Sequence, residues 1–562
     1  MKKYIFLFII VGFPFITFAQ TMCRVQDQKP LELLSKELKR SMRVFKKQKP
    51  PIYYIAYNLN DLNLLDIEVS ENGVAYKGDR HHFVLQAQVR AGSPLMDNTR
   101  TLKMDNTNYS LDTLQMPEIG KDGKAFSTAV WRLTEKAAEA AQQDFNRVQA
   151  DSQAASERAD DSPDFVLPQK ETFCEEYPAL EFDMQKIEQL LVKASDLTRG
   201  KPYVLSSSFS FEMQSGSRYF ADSVGTQLKT PVRLARLSYI LRGKTADGAK
   251  INRFNAYDVL SQEELPTEQQ LMADIEQSLQ ELQSLLKAPE AEPITVPVIL
   301  KNRAMAVFVH EVLGHRVEGH RQKEDSFGKT FTDKVGQEIV APLLTIVDDA
   351  TLPYFNNIPL RGFYQYDEEG VRARPVTLVE NGILKGFLMS SSPIKGFNAS
   401  NGHGRGDEGL RPVARMANTR VTASQTVPYD KLEQLLLQEI KRQNKPYGII
   451  IEDLSGGFTM TETSSPQTFK LTPTLVYRVY PDGRKEPIRG ADIVGTPLAA
   501  FREVIFAADD YDVFNGSCRA ESEWVPVSGI APSVLLRKLE FEKTGKSGLQ
   551  PPLLPPPFGE AK

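Results

Sequence analysis

Hydrophobic residues at helical spacing appear first at Leu31, Leu34, Leu38 and Met42, which predict a helix over 31–45. Two alternating, aromatic-rich stretches follow at 52–59 and 83–89 and predict half-buried strands. An Ala-, Glu- and Gln-rich run at 131–155 predicts a long helix that fades into a polar segment, 156–163. Further helices are expected at 184–194 and 268–286, with strands near 203–211 and 232–241 between them. After residue 320 strand signals dominate. Apolar runs at 343–347, 376–379 and 383–388 read as strands, and Asn381-Gly382 between the last two is a strong hairpin signal. Asp482-Gly483 marks a second tight turn after 475–480. One amphipathic helix interrupts the strands, with Leu432, Leu435, Leu436 and Ile440 on one face. No internal repeat is visible.

The fold class expected from this pattern is α+β in a two-domain chain: a mixed α/β N-terminal domain, then a C-terminal domain rich in antiparallel sheet. The proline- and charge-rich run 288–293 is the joint. Length agrees, since 562 residues are enough for two to four domains with large cores. At the start, Lys2 and Lys3 precede an apolar run, 4–18, and Thr17-Phe18-Ala19 offers a cleavage site before Gln20. The run is shorter than the roughly 20 apolar residues that span a bilayer, and Pro14 interrupts it. The expected division is therefore a signal peptide at 1–19, an N-terminal domain at 20–290 with a mobile segment at 150–168, a metal-binding C-terminal domain at 291–545, and a proline-rich tail at 546–562. Export, most simply to a periplasm, follows from the leader, and no stable membrane span is expected after its removal. A formal net charge of −4 without a long Lys/Arg run argues against nucleic acid as a partner.

Charge and composition leave the chemistry open; the histidines do not. Three of the six, His310, His315 and His320, fall within eleven residues, with Glu311 directly after the first. Imidazole is the commonest ligand for zinc-like cations, and an adjacent carboxylate can accept a proton from activated water, so the cluster suggests hydrolysis. Ligands at i and i+4 sit about 40° apart on a helix, whereas His310 and His315 are five apart, about 140°. They share one ion only if the helix is distorted, by a π-bulge or through the permissive backbone of Gly314. Of the three cysteines, Cys23, Cys174 and Cys518, two can pair in an oxidising compartment. If Cys23 and Cys174 join, Cys518 is left as a buried unreactive thiol or as a metal thiolate.

At this point a resemblance emerges. His310, Glu311 and His315 match the His-Glu-x-x-x-His motif of the TldD members of the TldD/PmbA metallopeptidase family. Family landmarks follow in order: Asp348-Asp349, Asp367-Glu368-Glu369-Gly370, Glu380-Asn381-Gly382, Arg415-Met416-Ala417-Asn418-Thr419, and Asn515-Gly516-Ser517-Cys518 with Val525-Pro526-Val527. The resemblance covers about 296–540 and implies a metal held by His310, His315 and Cys518, with Glu311 as general base. The ion expected is one Zn2+, with Fe2+ as the alternative, and His320 is the rival third ligand. Glu318 is a candidate to orient a ligand imidazole. The loop Asn401-Gly402-His403-Gly404-Arg405-Gly406 resembles the family's Gly-Asn-Gly-Arg region, and its His403 and Arg405 are candidate substrate or transition-state contacts. Leu454-Ser455-Gly456-Gly457-Phe458 departs from the family's Asn-Phe-Gly-Gly-Gly. His81-His82 reads as structural. The resemblance implies a peptidase for short or unfolded peptides, acting as a homodimer or as a heterodimer with a PmbA-like subunit. The alternative is a non-catalytic or regulatory partner subunit of such a complex.

Overall fold

Long antiparallel strands dominate the N-terminal half. The computed structural model describes residues 21–70, 73–101, 109–154, 160–324, 326–461 and 468–544; the expected leader and proline-rich tail lie outside them. A nine-stranded sheet is built around four strands, Gln227–Lys244, Ser206–Asp222, Ile52–Ser70 and Gly73–Ser93, paired in that order. The runs predicted at 52–59 and 83–89 are parts of strands of 19 and 21 residues. Their polar continuations, such as Asn60-Asp61, carry no clear alternation of their own. They are extended because both flanking strands complete their backbone hydrogen bonds.

Alternation assigns the two faces of this sheet. Ile55, Tyr57 and Leu59 pack under the helices Lys29–Phe45 and Lys124–Ala154, while Ile67 and Val69 pack under Met184–Asp196 and Glu268–Lys287. All five are odd-numbered residues of one strand, so all four helices lie on one face. The even-numbered Tyr54 and Ala56 point the other way, with Phe220, Phe165 and Tyr366. That face docks onto the C-terminal half. Asn58 Nδ2 donates to Glu368 O (2.9 Å), Asn60 Nδ2 to Glu408 (2.8 Å), and Arg218 pairs with Glu368 (2.7 Å).

The segment expected to be mobile, 150–168, is anchored at both of its described ends. Residues up to Ala154 continue the long helix. From Asp160 on, Asp164 accepts from the Asp97 amide (2.9 Å) and from Arg100 (2.7 Å), and Phe165 is buried beneath the Arg90 guanidinium, 3.8 Å from its ring centre. Charge pairing and aromatic burial, invisible in a polar-looking run, hold the chain there. Cys23 and Cys174 form a disulfide, tying the segment after strand Thr21–Met22 to strand Thr172–Glu176.

Beyond residue 293, five strands, Ile294–Leu300, Gly448–Thr459, Phe469–Val479, Ala491–Gly495 and Val534–Lys543, pair in a ring that closes on itself. A second sheet of six strands ends in Glu523–Ala531 and the edge strand Asp512–Ala520. Asn381 (φ 47°) and Gly382 (φ 84°) form the predicted tight turn, since both central residues need positive φ. Between the two sheets runs a buried helix, Asn302–Val312, whose residues from Ala304 to Val309 are all core. Phe308 meets Phe469 and Phe501 edge-on (centroids 5.8 and 5.1 Å). A Phe buried so completely contributes on the order of 3–5 kcal/mol against truncation, so the end of this helix is firmly placed.

Candidate metal centre

The helix Asn302–Val312 delivers His310 and Glu311 in its last turn and then stops. Leu313 caps the helix with its φ drawn out to −111° (ψ −51°), and Gly314–Val317 form a single 3-10 turn. The distortion expected between His310 and His315 is present, but as a helix end followed by a tighter turn, not as a π-bulge. Gly314 is required for a different reason from the one expected. Its backbone is not left-handed; a methyl group there would fall on the sulfur of buried Met416. The turn brings the His310 and His315 rings to 5.1 Å between centroids at 86°.

Cys518 arrives from the edge strand Asp512–Ala520, 208 residues away. Its Sγ lies 3.1 Å from His310 Nε2 and 3.4 Å from His315 Nε2. Donors around a tetrahedral zinc with bonds of about 2.0–2.3 Å sit about 3.5 Å apart. The three atoms therefore fit a metal of that class, and their chemistry, two imidazole nitrogens and one thiol, is the soft, borderline set such an ion prefers. Burial opposes ionisation of the Cys518 thiol, but His315, His310 and Arg415 outweigh it and hold its pKa well below the ordinary thiol value. Burial likewise disfavours charge on both imidazoles, and the facing sulfur reverses this, raising His310 and raising His315 strongly.

Around these donors lies a cleft of about 580 Å³, lined among others by Glu311, His310, His315, Cys518 and Glu521. The strand Gly448–Thr459 crosses directly over Glu311. A methyl group at Gly457 would fall on Leu471 Cδ2 (2.3 Å) and Lys470 O (2.8 Å) and would also approach Glu311 Cγ to 3.2 Å, so the strand packs closely beside Glu311. His315 Nδ1 faces Glu318 Oε2 at 3.3 Å, which leaves Nε2 free for a ligand role. Glu318 is fully buried. Burial would raise its pKa, but His315, Arg321 and Arg415 hold it down at about 2.

The other expected residues are placed elsewhere. His320 turns to Glu521 (3.5 Å) and to the edge of Phe327, in a group with Glu318 that excludes His310 and Cys518. In that group Arg321 contacts both carboxylates at 2.8 Å and Arg415 lies 3.4 Å from Glu318, so two cations face the two carboxylates. His403 and Arg405 do not line the cleft. His403 is fully buried between Asp348 Oδ1 (3.2 Å) and Asn401 Oδ1 (3.1 Å), and Arg405 donates to the carbonyls of Met416 (2.6 Å) and Pro526 (2.8 Å). The geometry gives both a packing role in place of the expected substrate contact. The segment just after the glycine-rich loop clasps the two halves: Leu111 N donates to Gly409 O (2.7 Å), and His82 meets Glu408 (2.8 Å). His81 pairs with Asp61 at 2.8 Å.

Residues 293–543 match the family profile described as the PmbA/TldA metallopeptidase C-terminal domain. This part of the chain belongs to the TldD/PmbA family. The chain is 28% identical over 258 residues to a metalloprotease TldD homolog of Haemophilus influenzae, covering 45% of this chain and 49% of that protein. It is 29% identical over 274 residues to a zinc metalloprotease TldD homolog of Saccharolobus solfataricus, covering 48% and 57%. The match thus spans about half the length of these relatives. The fold as a whole is similar to that of TldE from Thermococcus kodakarensis (TM-score 0.57, 16% identity, covering 90% of this chain and 100% of that one).

Arg415 was visible in the sequence only as a landmark without a role. The signal available was an arginine inside the apolar run Val413-Ala414-Arg415-Met416-Ala417. A charge so placed must be buried and paired, or exposed at a break in the strand.

Proposed function

We propose that this chain is an exported, metal-dependent peptidase that hydrolyses peptide bonds in short or unfolded polypeptides. The observation that carries the reading is the convergence of His310, His315 and Cys518 beside Glu311 on one cleft. His310, His315 and Cys518 would hold a Zn2+-class ion, which would supply Lewis acidity and make a water more acidic, toward a pKa of about 7. Glu311 takes the proton from the attacking water and returns it to the departing amine, as a general base that becomes a general acid. Glu318 keeps the His315 proton on Nδ1. The cleft lies between strands of two sheets, which supports an extended peptide as the substrate.

Metal stoichiometry of the purified protein, with peptide cleavage by wild type and Glu311→Gln, tests this. One metal per chain and cleavage lost in the variant with metal retained is the expected result; equal rates for the two proteins overturn it. A metal-free partner subunit is the second reading, suggested by the similarity of the fold to TldE, but a chain with that role has no need of an intact His310, His315 and Cys518 set. Pairing with a second copy, or with a PmbA-like subunit, remains part of the proposal, and mass measurement of the complex in solution reads it. Export is supported by the leader pattern and by the Cys23–Cys174 disulfide, which persists in an oxidising compartment. Fractionation with N-terminal sequencing tests it, with Gln20 expected as the mature N-terminus.

A further inference from the structure

Arg415 is among the largest side chains wholly removed from solvent. Its Nη2 donates to the Cys518 carbonyl (2.7 Å), and its Nη1 to Ser522 Oγ (2.8 Å) and Glu523 O (3.0 Å). Its Nε lies 3.4 Å from Glu318 Oε1, while the other oxygen of Glu318 faces His315 Nδ1 (3.3 Å) and accepts from Arg321 Nε (2.8 Å). An unbroken chain of contacts thus runs His315, Glu318, Arg415, Cys518. It joins two prospective ligands, one on the 3-10 turn and one on the edge strand, that are 203 residues apart.

Stability alone is a poor reason to keep such a chain. Taking a carboxylate and a guanidinium out of water costs several kcal/mol per ion, and apolar replacements of similar volume are often neutral or stabilising. Positioning is a better reason. A thiolate on an edge strand has hydrogen-bonded support from one neighbouring strand only, and here the missing side is supplied by the guanidinium.

We infer that Glu318 and Arg415 are paired positioning residues that fix His315 and Cys518 relative to each other before metal arrives. This rests on the proposed metal site but not on peptidase activity. Glu318 sets the tautomer and ring orientation of His315, and Arg415, hydrogen-bonded to the Cys518 carbonyl, faces the same carboxylate across an ion pair of 3.4 Å without a hydrogen bond, so charge attraction links the two donors.

The test uses the full mature chain as wild type, Glu318→Gln and Arg415→Lys. Zinc affinity is measured by competition with a chromophoric chelator, and the Co2+-loaded proteins are compared by their thiolate-to-cobalt charge-transfer band. Metal-free thermal unfolding serves as the fold control. Both variants are expected to unfold cooperatively, to bind zinc about 10–100-fold more weakly, and to show a weakened or shifted cobalt–thiolate band. The double variant should be little worse than either single one, because both break the same chain. Wild-type zinc affinity and an unaltered cobalt spectrum in a folded Glu318→Gln protein overturn the inference. If Arg415→Lys does not fold, Glu318→Gln decides alone. If wild type itself binds no zinc, the metal site falls, which is a different result from tight binding insensitive to both substitutions.

Discussion

Gly314→Ala isolates the reason the ligand helix ends where it does. Because Gly314 is not in the left-handed region, alanine meets no backbone strain there. Considered alone, the substitution should stabilise by about 0.4–1 kcal/mol, through the narrower unfolded ensemble. The structure predicts the opposite sign. The new methyl would overlap the Met416 sulfur and stand 2.8 Å from its terminal carbon, and Met416, 1% exposed, has core on every side. Overpacking of this kind costs about 1–3 kcal/mol, giving a net loss of about 1–2 kcal/mol. For a domain of this size that lowers Tm by about 2–8 °C. His315 is the next residue, so relief of the clash displaces a ligand and weakens zinc binding as well. Thermal unfolding of the metal-free protein and chelator competition read the two effects. Met416→Ala, which opens space at its own cost, should partly restore both in the double variant, with a coupling of about 0.5–3 kcal/mol. A Gly314→Ala protein as stable as wild type with unchanged zinc affinity would refute the steric account.

Other consequences are equally open to measurement. The Cys23–Cys174 bond closes a loop of 151 residues, for which chain entropy gives about 5 kcal/mol as an upper figure and 2–4 kcal/mol as the usual range, so Cys23→Ser with Cys174→Ser should lower Tm by several degrees; identical melts with and without reductant would contradict it. Asp258 is held below the ordinary carboxylate range because Arg236 and Arg361 outweigh the effect of its burial. Its contribution is present above its unfolded pKa of about 3.9 and lost as pH falls through the lower folded value, so Asp258→Asn should cost about 3–5 kcal/mol at pH 7 and progressively less in acid. Denaturant titrations at both ends of that range check it, and a pH-independent difference argues against it. Zinc requires unprotonated imidazoles, whereas the Cys518 sulfur raises the pKa of His310 and His315, so binding should release protons at neutral pH and weaken as pH falls. Calorimetry in buffers of different ionisation enthalpy measures the release, and none at pH 7 would remove this reading.

Legibility of the fold varied with how local its cause was. The helix over Lys29–Phe45, the amphipathic helix Tyr429–Arg442 and the Asn381-Gly382 turn follow from spacing and backbone preference within a few residues, and the sequence shows them directly. Strand lengths in the large sheet, the anchoring of Asp164 and Phe165, and the interdomain clasp at Glu408–Arg411 depend on partners far away in the chain. At the site, the candidate donors at 310, 315 and 518 and the candidate base at 311 were legible from residue chemistry together with the family landmarks, and the structure brings the three donors together. The burial of His403 and Arg405 was not, because the glycines that suggested an open loop serve close packing against Glu369 and Ala373 instead.

By itself, then, the sequence determined the periodic elements, the turn chemistry and the inventory of possible donors, because each depends on side-chain type and near neighbours. Only the tertiary structure decided which donors share a point in space, that the helix ends in a 3-10 turn to bring them there, and that a buried Glu318–Arg415 pair stands behind two of them. Those outcomes depend on sheet register and core packing, in which contacts between residues some two hundred positions apart determine the geometry.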